Sequence, residues 1–390
     1  MKPFDMIDNT LIYGLCFLAV LLFIQLCYYF CLYNRIYRRT VALNKGKLSF
    51  SEDCPPLSVV VCAHDASDAL RRNLPSILEQ NYPKFEVIVV NDDKSEETND
   101  ILTLLESQYS HLYHTFTPNS ARYISHKKLA LTVGIKASKY DWLVVTEPEC
   151  IPASSNWLRT LSRNFTPDTD IVLGYARYRQ EKGWFHRKVA FHNLLQAMRH
   201  LGLALLHKPY MGIGRNLAYR KKLFFENKGF SSHLNLEFGD DDLFINETCT
   251  NTNTRVETHP DAIVELPPIT YQKEWRESRL NYTVTSSYYQ GWHRYFLGAE
   301  TSTRLLFCLI IPVIITYSLI QHVWPVAVVA ALLYLIRFAT QLIVFHRTSK
   351  SLQDRCFYLT LPLFDILQPL TALKYKLIRH FRHPSDFLRK

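Results

Sequence analysis

Residues 11–33, LIYGLCFLAVLLFIQLCYYFCLY, are almost wholly apolar. A run of this length can cross the hydrocarbon core of a bilayer, which leaves few other places for it in a folded chain. Arg35, Arg38 and Arg39 follow at once. The positive-inside rule then sets the N-terminus outside and starts everything after Arg35 in the cytoplasm. A cleaved signal peptide is the rival reading. The run exceeds the usual apolar region of such a peptide and no small-x-small cleavage site follows it. Two further apolar blocks, 305–320 and 323–345, are separated only by Gln321 and His322 and read as a transmembrane hairpin. His346, Arg347, Lys350 and Arg355 then fall on the cytoplasmic side. Residues 357–373 are apolar but carry Asp365 and two prolines, which suits an interfacial or re-entrant segment better than a fourth span. The basic tail after it (Lys374, Lys376, Arg379, Arg382, Arg389, Lys390) fits the anionic inner leaflet. The expectation is a multi-pass protein of the cell inner (plasma) membrane, with its main domain cytoplasmic.

The formal net charge of +10 is concentrated beside these apolar segments, and no nucleic-acid motif accompanies it, so nucleic acid is excluded as a partner. The nine cysteines show no CxxC or CxxH spacing and read as reduced structural thiols. A polar linker, Lys45 to Pro56, precedes a stretch in which strand-like and helix-like periodicities alternate. That alternation predicts an α/β domain with a mostly parallel sheet. Strands are expected at 57–63, 85–91, 142–146 and 170–174, and helices at 69–80, 95–108, 127–138 and 157–165. From Trp184 to Leu206 the apolar residues Val189, Phe191, Leu194, Leu195, Met198, Leu201 and Leu205 recur at helical spacing. That stripe can pack on the sheet or lie against the membrane surface.

Two acidic groups carry chemistry. In DWLVVTEPEC (Asp141 to Cys150) a short apolar strand ends in Glu147 and Glu149, spaced i, i+2 around Pro148. Carboxylates at the C-terminal end of a strand in an open α/β sheet point into the ligand crevice. Two at this spacing can share one hard cation, Mn²⁺ or Mg²⁺. Pro148 fixes its own φ and drives Glu147 towards extended geometry. In Phe238-Gly239-Asp240-Asp241-Asp242-Leu243 three adjacent carboxylates raise one another's proton affinity, which favours a general base. The bland alternative is a helix N-terminus stabilised by acids. Gly212-Ile213-Gly214-Arg215-Asn216 offers glycines that let backbone approach a ligand, beside an arginine that can meet a phosphate.

In their order and surroundings these segments resemble the membrane-bound family-2 glycosyltransferases, inverting enzymes of the Rossmann-like GT-A fold. The resemblance runs through LSVVVCAHDA (57–66), NLPSILEQNYPKFEVIVVNDD (73–93), HKKLALTVGIKASKYDWLVVTEPECIPASSNWL (126–158), PYMGIGRNLAYRKKLFF (209–225) and FGDDDLFIN (238–246). It implies that Asp92, with Asp93 as its substitute, meets the nucleobase and that Asp65 lies near the nucleoside. Lys127 and Lys128 match the family's basic pair and would compensate a diphosphate. Glu147 and Glu149 stand at the family's Asp-x-Asp positions, Glu149 as the metal ligand and Glu147 at the sugar or ribose. Asp240, aligned on D-x-D-L, is the expected base, with Asp241 second. Gly212, Gly214 and Arg215 belong to the acceptor and diphosphate loop. The family's late motif, Q-x-x-R-W or W-x-x-Q-K-x-R-H, reads WRESRLNY here (275–282): Trp275 is kept, Arg279 replaces Lys and Tyr282 replaces His.

The implied organisation is an anchor at 1–34, a GT-A domain at 55–285 and an interfacial connection at 286–304. A hairpin at 305–345 and a basic amphipathic segment at 346–390 complete it. The implied activity is non-processive transfer of one sugar, with inversion, from a nucleotide-sugar (a UDP-sugar) to a lipid-linked or membrane-adjacent glycan. A divalent cation is the expected cofactor, and other polysaccharide-assembly enzymes are candidate partners. The departures at Ala66, Glu147, Glu149 and the late motif leave a second reading open, a degenerate homologue that binds nucleotide as a scaffold subunit.

Overall fold

The computed structural model describes residues 9–92, 95–118 and 125–381; Asp93, Arg382, Arg389 and Lys390 lie outside them. The N-terminal apolar run is helical over Asn9–Cys27, widens into π-helical turns over Tyr28–Tyr33 and resumes as an α-helix over Arg35–Asn44. Two helices, His293–Ile320 and Trp324–Ser351, form the hairpin, and His322 turns the corner at a φ of 56°. The stretch expected as an interfacial connection, 286–304, is thus largely the first turns of the hairpin's own helix. Leu11, Leu18 and Leu22 of the first helix pack on Phe307, Ile311 and Ile314 of the hairpin. These three are long and apolar enough to cross a membrane.

Among the described residues ten strands form between the first helix and the hairpin: β1 (Leu57–Ala63), β2 (Phe85–Asn91), β3 (Leu112–Phe116), β4 (Trp142–Thr146), β5 (Ile151–Pro152), β6 (Ile171–Leu173), β7 (Ala176–Tyr178), β8 (Leu217–Arg220), β9 (Thr254–Val256) and β10 (Val264–Leu266). The main sheet runs β3-β2-β1-β4-β8-β6-β9, and β5-β10-β7 form a small second sheet. The half from β3 to β4 is parallel, with Val59 opposite Val87 and Val60 opposite Val145. The sheet is mixed beyond β4, because β8 is antiparallel to both β4 and β6. The mostly parallel sheet expected from sequence is what forms, with β6 and β9 again parallel and β8 alone reversed. Helices cover both faces, so β1, β2 and β4 are buried on both sides and read as continuous apolar runs. The helix His126–Ala137 approaches closely enough that a Cβ on Gly134 would stand 2.6 Å from Val60.

The stripe on the helix Trp184–Ala204 is core. Phe191, Leu194, Leu195, Met198 and Leu201 pack with Leu173 and Tyr219 of the sheet, but also with Tyr29 and Tyr33 at the end of the N-terminal apolar run and Phe345 of the hairpin. Residues 357–373 contribute most of a helix, Leu361–Phe381, which packs on the hairpin, on Trp184–Ala204 and on the helix Gln272–Thr285.

Its Asp365 anchors a buried ionic chain. Arg337 reaches Asp365 at 2.7 Å and Arg304 at 3.5 Å, and Gln341 donates to the same carboxylate at 2.8 Å. Arg304 also meets Glu300 at 3.4 Å, and Glu300 meets Arg199 of the α/β domain at 2.5 Å. Desolvation offsets much of the attraction in such pairs, so the chain's value is geometric: each charge requires its neighbours in place.

Candidate active site at the carboxyl edge of the sheet

Strands β1, β2 and β4 end side by side, and the predicted acids sit just past their last residues. Asp65 follows β1 in the left-handed region (φ 53°), a conformation aspartate tolerates, and its residue is exposed. Asp92 follows β2. Its side chain is almost fully buried and accepts from the Thr117 hydroxyl at 2.6 Å. His126 Nδ1 lies 3.1 Å from one Asp92 oxygen and His64 Nδ1 3.6 Å from the other. Neither histidine was singled out from sequence. The available signal was position, since one directly follows a strand that feeds the crevice and the other directly precedes the lysine pair.

Glu147, past β4, is held from two sides. Lys127 Nζ lies 3.0 Å from its Oε1, and Arg215 Nε lies 3.0 Å from its Oε2. Burial alone would raise the Glu147 pKa, but these two cations override it and bring it down to about 2. Lys127 also contacts Asp240 at 3.2 Å, so one ammonium joins the strand-end acid to the acidic triplet. Burial of that lysine opposes its charge, yet Asp240 and Glu147 hold its proton affinity well above the ordinary value. Arg215 donates onward to the Tyr178 hydroxyl at 3.1 Å. Tyr178 ends β7, whose pairing with β10 carries it to the cluster; a three-residue strand leaves little periodicity to find it by.

Within the triplet the three aspartates differ. Asp240 is buried and paired to Lys127. Asp241 caps the helix Asp242–Thr248, accepting from the Asp242 amide at 2.7 Å and the Gly214 amide at 2.8 Å. A Cβ on Gly214 would come within 3.3 Å of the Asp241 side chain, so this glycine permits the close approach. Burial, with the charges of Asp240 and Asp242 beside it, pushes the Asp241 pKa up to about 7. Asp242 accepts from the hydroxyls of Thr285 (2.5 Å) and Tyr289 (2.6 Å), which fasten the acidic loop to the end of the helix Gln272–Thr285 and the turn after it.

Four predicted residues have their partners outside the cluster. Lys128 turns away from the cluster: its buried ammonium donates to the carbonyls of His233 (2.7 Å) and Leu236 (2.9 Å), pinning the approach to the triplet. Gly212 is a packing glycine, since a Cβ there would meet Ile245 at 2.9 Å. Trp275 is buried among Phe185, His192 and Tyr375. Arg279 donates to the Gln196 amide oxygen at 2.8 Å, and its guanidinium lies 5.8 Å from the Tyr282 ring centre.

Among the described residues no three His, Cys, Asp or Glu side chains converge as an all-protein metal cage. Glu147 has both oxygens engaged by cations, whereas Glu149 forms no ion pair among the described residues. Burial and the neighbouring Glu147 charge raise the Glu149 pKa. That donor set fits an ion held by one carboxylate and completed by substrate phosphate and water, a common arrangement for Mg²⁺.

Residues 58–226 match the family model described as glycosyl transferase family 2. A probable glycosyltransferase of Bacillus subtilis, YdaM, is 27% identical over 139 residues, which is 34% of this chain and 32% of that protein. The poly-beta-1,6-N-acetyl-D-glucosamine synthase of Staphylococcus epidermidis is 21% identical over 143 residues, 37% of this chain and 32% of that one. The chain thus matches about a third of the length of these curated relatives. Among solved structures, the mannosyltransferase PcManGT of Pyrobaculum calidifontis, in complex with GDP-Man and Mn²⁺, superposes with a TM-score of 0.52 at 15% identity. That match covers 93% of this chain and 99% of the mannosyltransferase.

Proposed function

From the premise that residues 58–226 form a family-2 glycosyltransferase domain of GT-A fold, we propose that this chain transfers one sugar, with inversion, from a UDP-sugar to a lipid-linked or membrane-adjacent glycan. The observation that carries the reading is the joint hold of Lys127 on Glu147 and Asp240 beside Arg215: two cations for a departing diphosphate next to a carboxylate for the acceptor. Asp240 accepts the proton of the acceptor hydroxyl while that oxygen forms its bond to the anomeric carbon and the bond to the diphosphate oxygen breaks. Lys127 and Arg215 meet the charge that develops on the leaving group. Glu149 would hold the divalent cation, which when bound supplies further charge compensation at the phosphates. Asp92 orients the nucleobase, Asp65 lies towards the nucleoside, and Asp241 keeps the Gly212–Asn216 loop closed over the site. In this reading the domain faces the cytoplasm of a plasma membrane, and three helices long and apolar enough to cross one support it.

Calorimetric titration of UDP into the detergent-purified chain, with and without Mn²⁺, tests the reading. Binding strengthened by Mn²⁺ and lost in Asp92→Ala and Glu149→Ala supports it, and no nucleotide binding at all defeats it. One observation favours the second reading, a nucleotide-binding scaffold without turnover: Trp275, the kept residue of the late motif, is consumed in packing. Nucleotide binding without sugar transfer to any membrane extract would establish that alternative.

A further inference from the structure

Three helices meet around Trp275: Trp184–Ala204, Gln272–Thr285 and Leu361–Phe381. The seam between them is rich in cations. Lys188 Nζ lies 4.7 Å from the Trp275 ring centre, and His192 packs on the same ring at 5.3 Å. Arg279, one turn along from Trp275, has as its side-chain partners among the described residues the neutral Gln196 amide and the Tyr282 ring. Lys374, on the third helix, is near enough that its charge adds to burial in lowering the Lys188 proton affinity. Three nearby acids are engaged elsewhere, Glu181 with His186, Glu277 with Arg276, and Glu300 with Arg199 and Arg304, while Glu274 on the helix Gln272–Thr285 is exposed. Among the described residues no carboxylate pairs with Lys188, Arg279 or Lys374. Glu277, paired with Arg276, is near enough for its charge to act on Tyr375, but it leaves the seam's cations in excess, and an anion that enters relieves their repulsion.

The setting narrows which anion. The helix Leu361–Phe381 turns Leu363, Ile366, Leu370, Leu373 and Leu377 outward along one face, each 42–50% exposed. An apolar stripe beside Lys374, Lys376 and Arg379 suits a helix lying in the interfacial plane, with its cations at phosphate depth. At the seam's other end, Tyr282 is close enough to Asp241 and Arg215 for their charges to act on its phenol. The seam therefore leads from an apolar face to the catalytic cluster.

We propose that this seam binds the phosphoryl group of a membrane lipid, with Lys188, Arg279 and Lys374 supplying the counter-charge. The proposal deepens the glycosyltransfer reading, on which it rests only in identifying the bound lipid as the acceptor or its carrier.

The test uses full-length protein in nanodiscs of neutral phosphatidylcholine, doped with a polyprenyl monophosphate, the matching unphosphorylated polyprenol, or phosphatidylglycerol. Binding is read by tryptophan fluorescence, and UDP affinity is measured on the same samples. The expected result is at least about tenfold preference for the polyprenyl phosphate over the polyprenol, with about tenfold weakening in Lys188→Gln and in Arg279→Gln, as loss of a charged hydrogen-bonding partner implies. Lys188→Arg should restore binding, and UDP affinity in Lys188→Gln should be unchanged, which reports an intact fold. Phosphatidylglycerol binding as tightly, and failing in the same variants, would also support the phosphoryl site and assign it to bilayer headgroups. Equal affinity for phosphate and polyprenol, or undiminished binding in both Gln variants, would overturn the inference. Absence of UDP binding in the wild type would instead defeat the glycosyltransfer reading and leave the lipid result standing on its own.

Discussion

Lys127 is the residue on which most of the site's electrostatics converge, because it contacts Glu147 and Asp240, two acids almost a hundred positions apart in the chain. Replacing Asp240 by Asn keeps the shape and removes the proton acceptor. We expect transfer to fall by about 10²- to 10⁴-fold, the range general-base catalysis supplies, with UDP affinity nearly intact. Transfer assays beside calorimetry check this, and undiminished turnover would remove Asp240 from the role. Two of the perturbed acids also predict opposite pH behaviour. Glu147, depressed to about 2, contributes stability that is complete above its ordinary range and is lost as pH falls towards 2. Asp241, raised to about 7, favours the fold while protonated, and that contribution disappears as pH climbs from about 4 through 7. Thermal melts of Asp241→Asn should therefore lack the decline that the wild type shows across that upper window. The acids themselves were legible from strand ends and the D-x-D-L spacing. Their cationic partners were legible only in part: Lys127 and Lys128 look alike in sequence, and only the helix's rotation over the sheet separates a site residue from a structural pin.

Elements, more than single side chains, decide whether the triplet points into the crevice. The hydroxyls of Thr285 and Tyr289 tie Asp242 to the end of a helix that carries none of the acids. Removing both donors, in Thr285→Val with Tyr289→Phe, leaves a buried carboxylate short of partners. The expected cost is about 1–3 kcal/mol per lost donor, with turnover falling more than nucleotide affinity; chemical denaturation and a comparison of kcat with KM would read it. Strands β1, β2 and β4 were legible because both faces are buried and their runs are unbroken. Strand β3 reads LYHTF and is half-exposed, while β9 and β10 have three residues each, too few to declare a period. Strand β8 was hidden inside a stretch valued for its glycines and Arg215, so its reversed direction, and with it the mixed half of the sheet, went unread.

At the scale of the whole molecule, the buried chain from Arg199 through Glu300, Arg304 and Asp365 to Arg337 spans the catalytic domain, the hairpin and the C-terminal helix. Arg337→Leu strands Asp365 and should destabilise the protein by about 3–5 kcal/mol, whereas Arg337→Leu combined with Asp365→Leu should recover most of that loss. Thermal unfolding in detergent distinguishes the two. From sequence, Asp365 stood out only as a charge in an apolar segment; its partnership with Arg337 depends on how the last helix folds back, which no local pattern records. That chain also joins soluble and apolar parts through side chains at fixed distances and not through a slack tether. The height of the chemistry above the hydrocarbon is then a built-in dimension of the protein. Turnover should accordingly peak in bilayers of one thickness and decline in both thinner and thicker ones, as if the enzyme carried its own depth gauge.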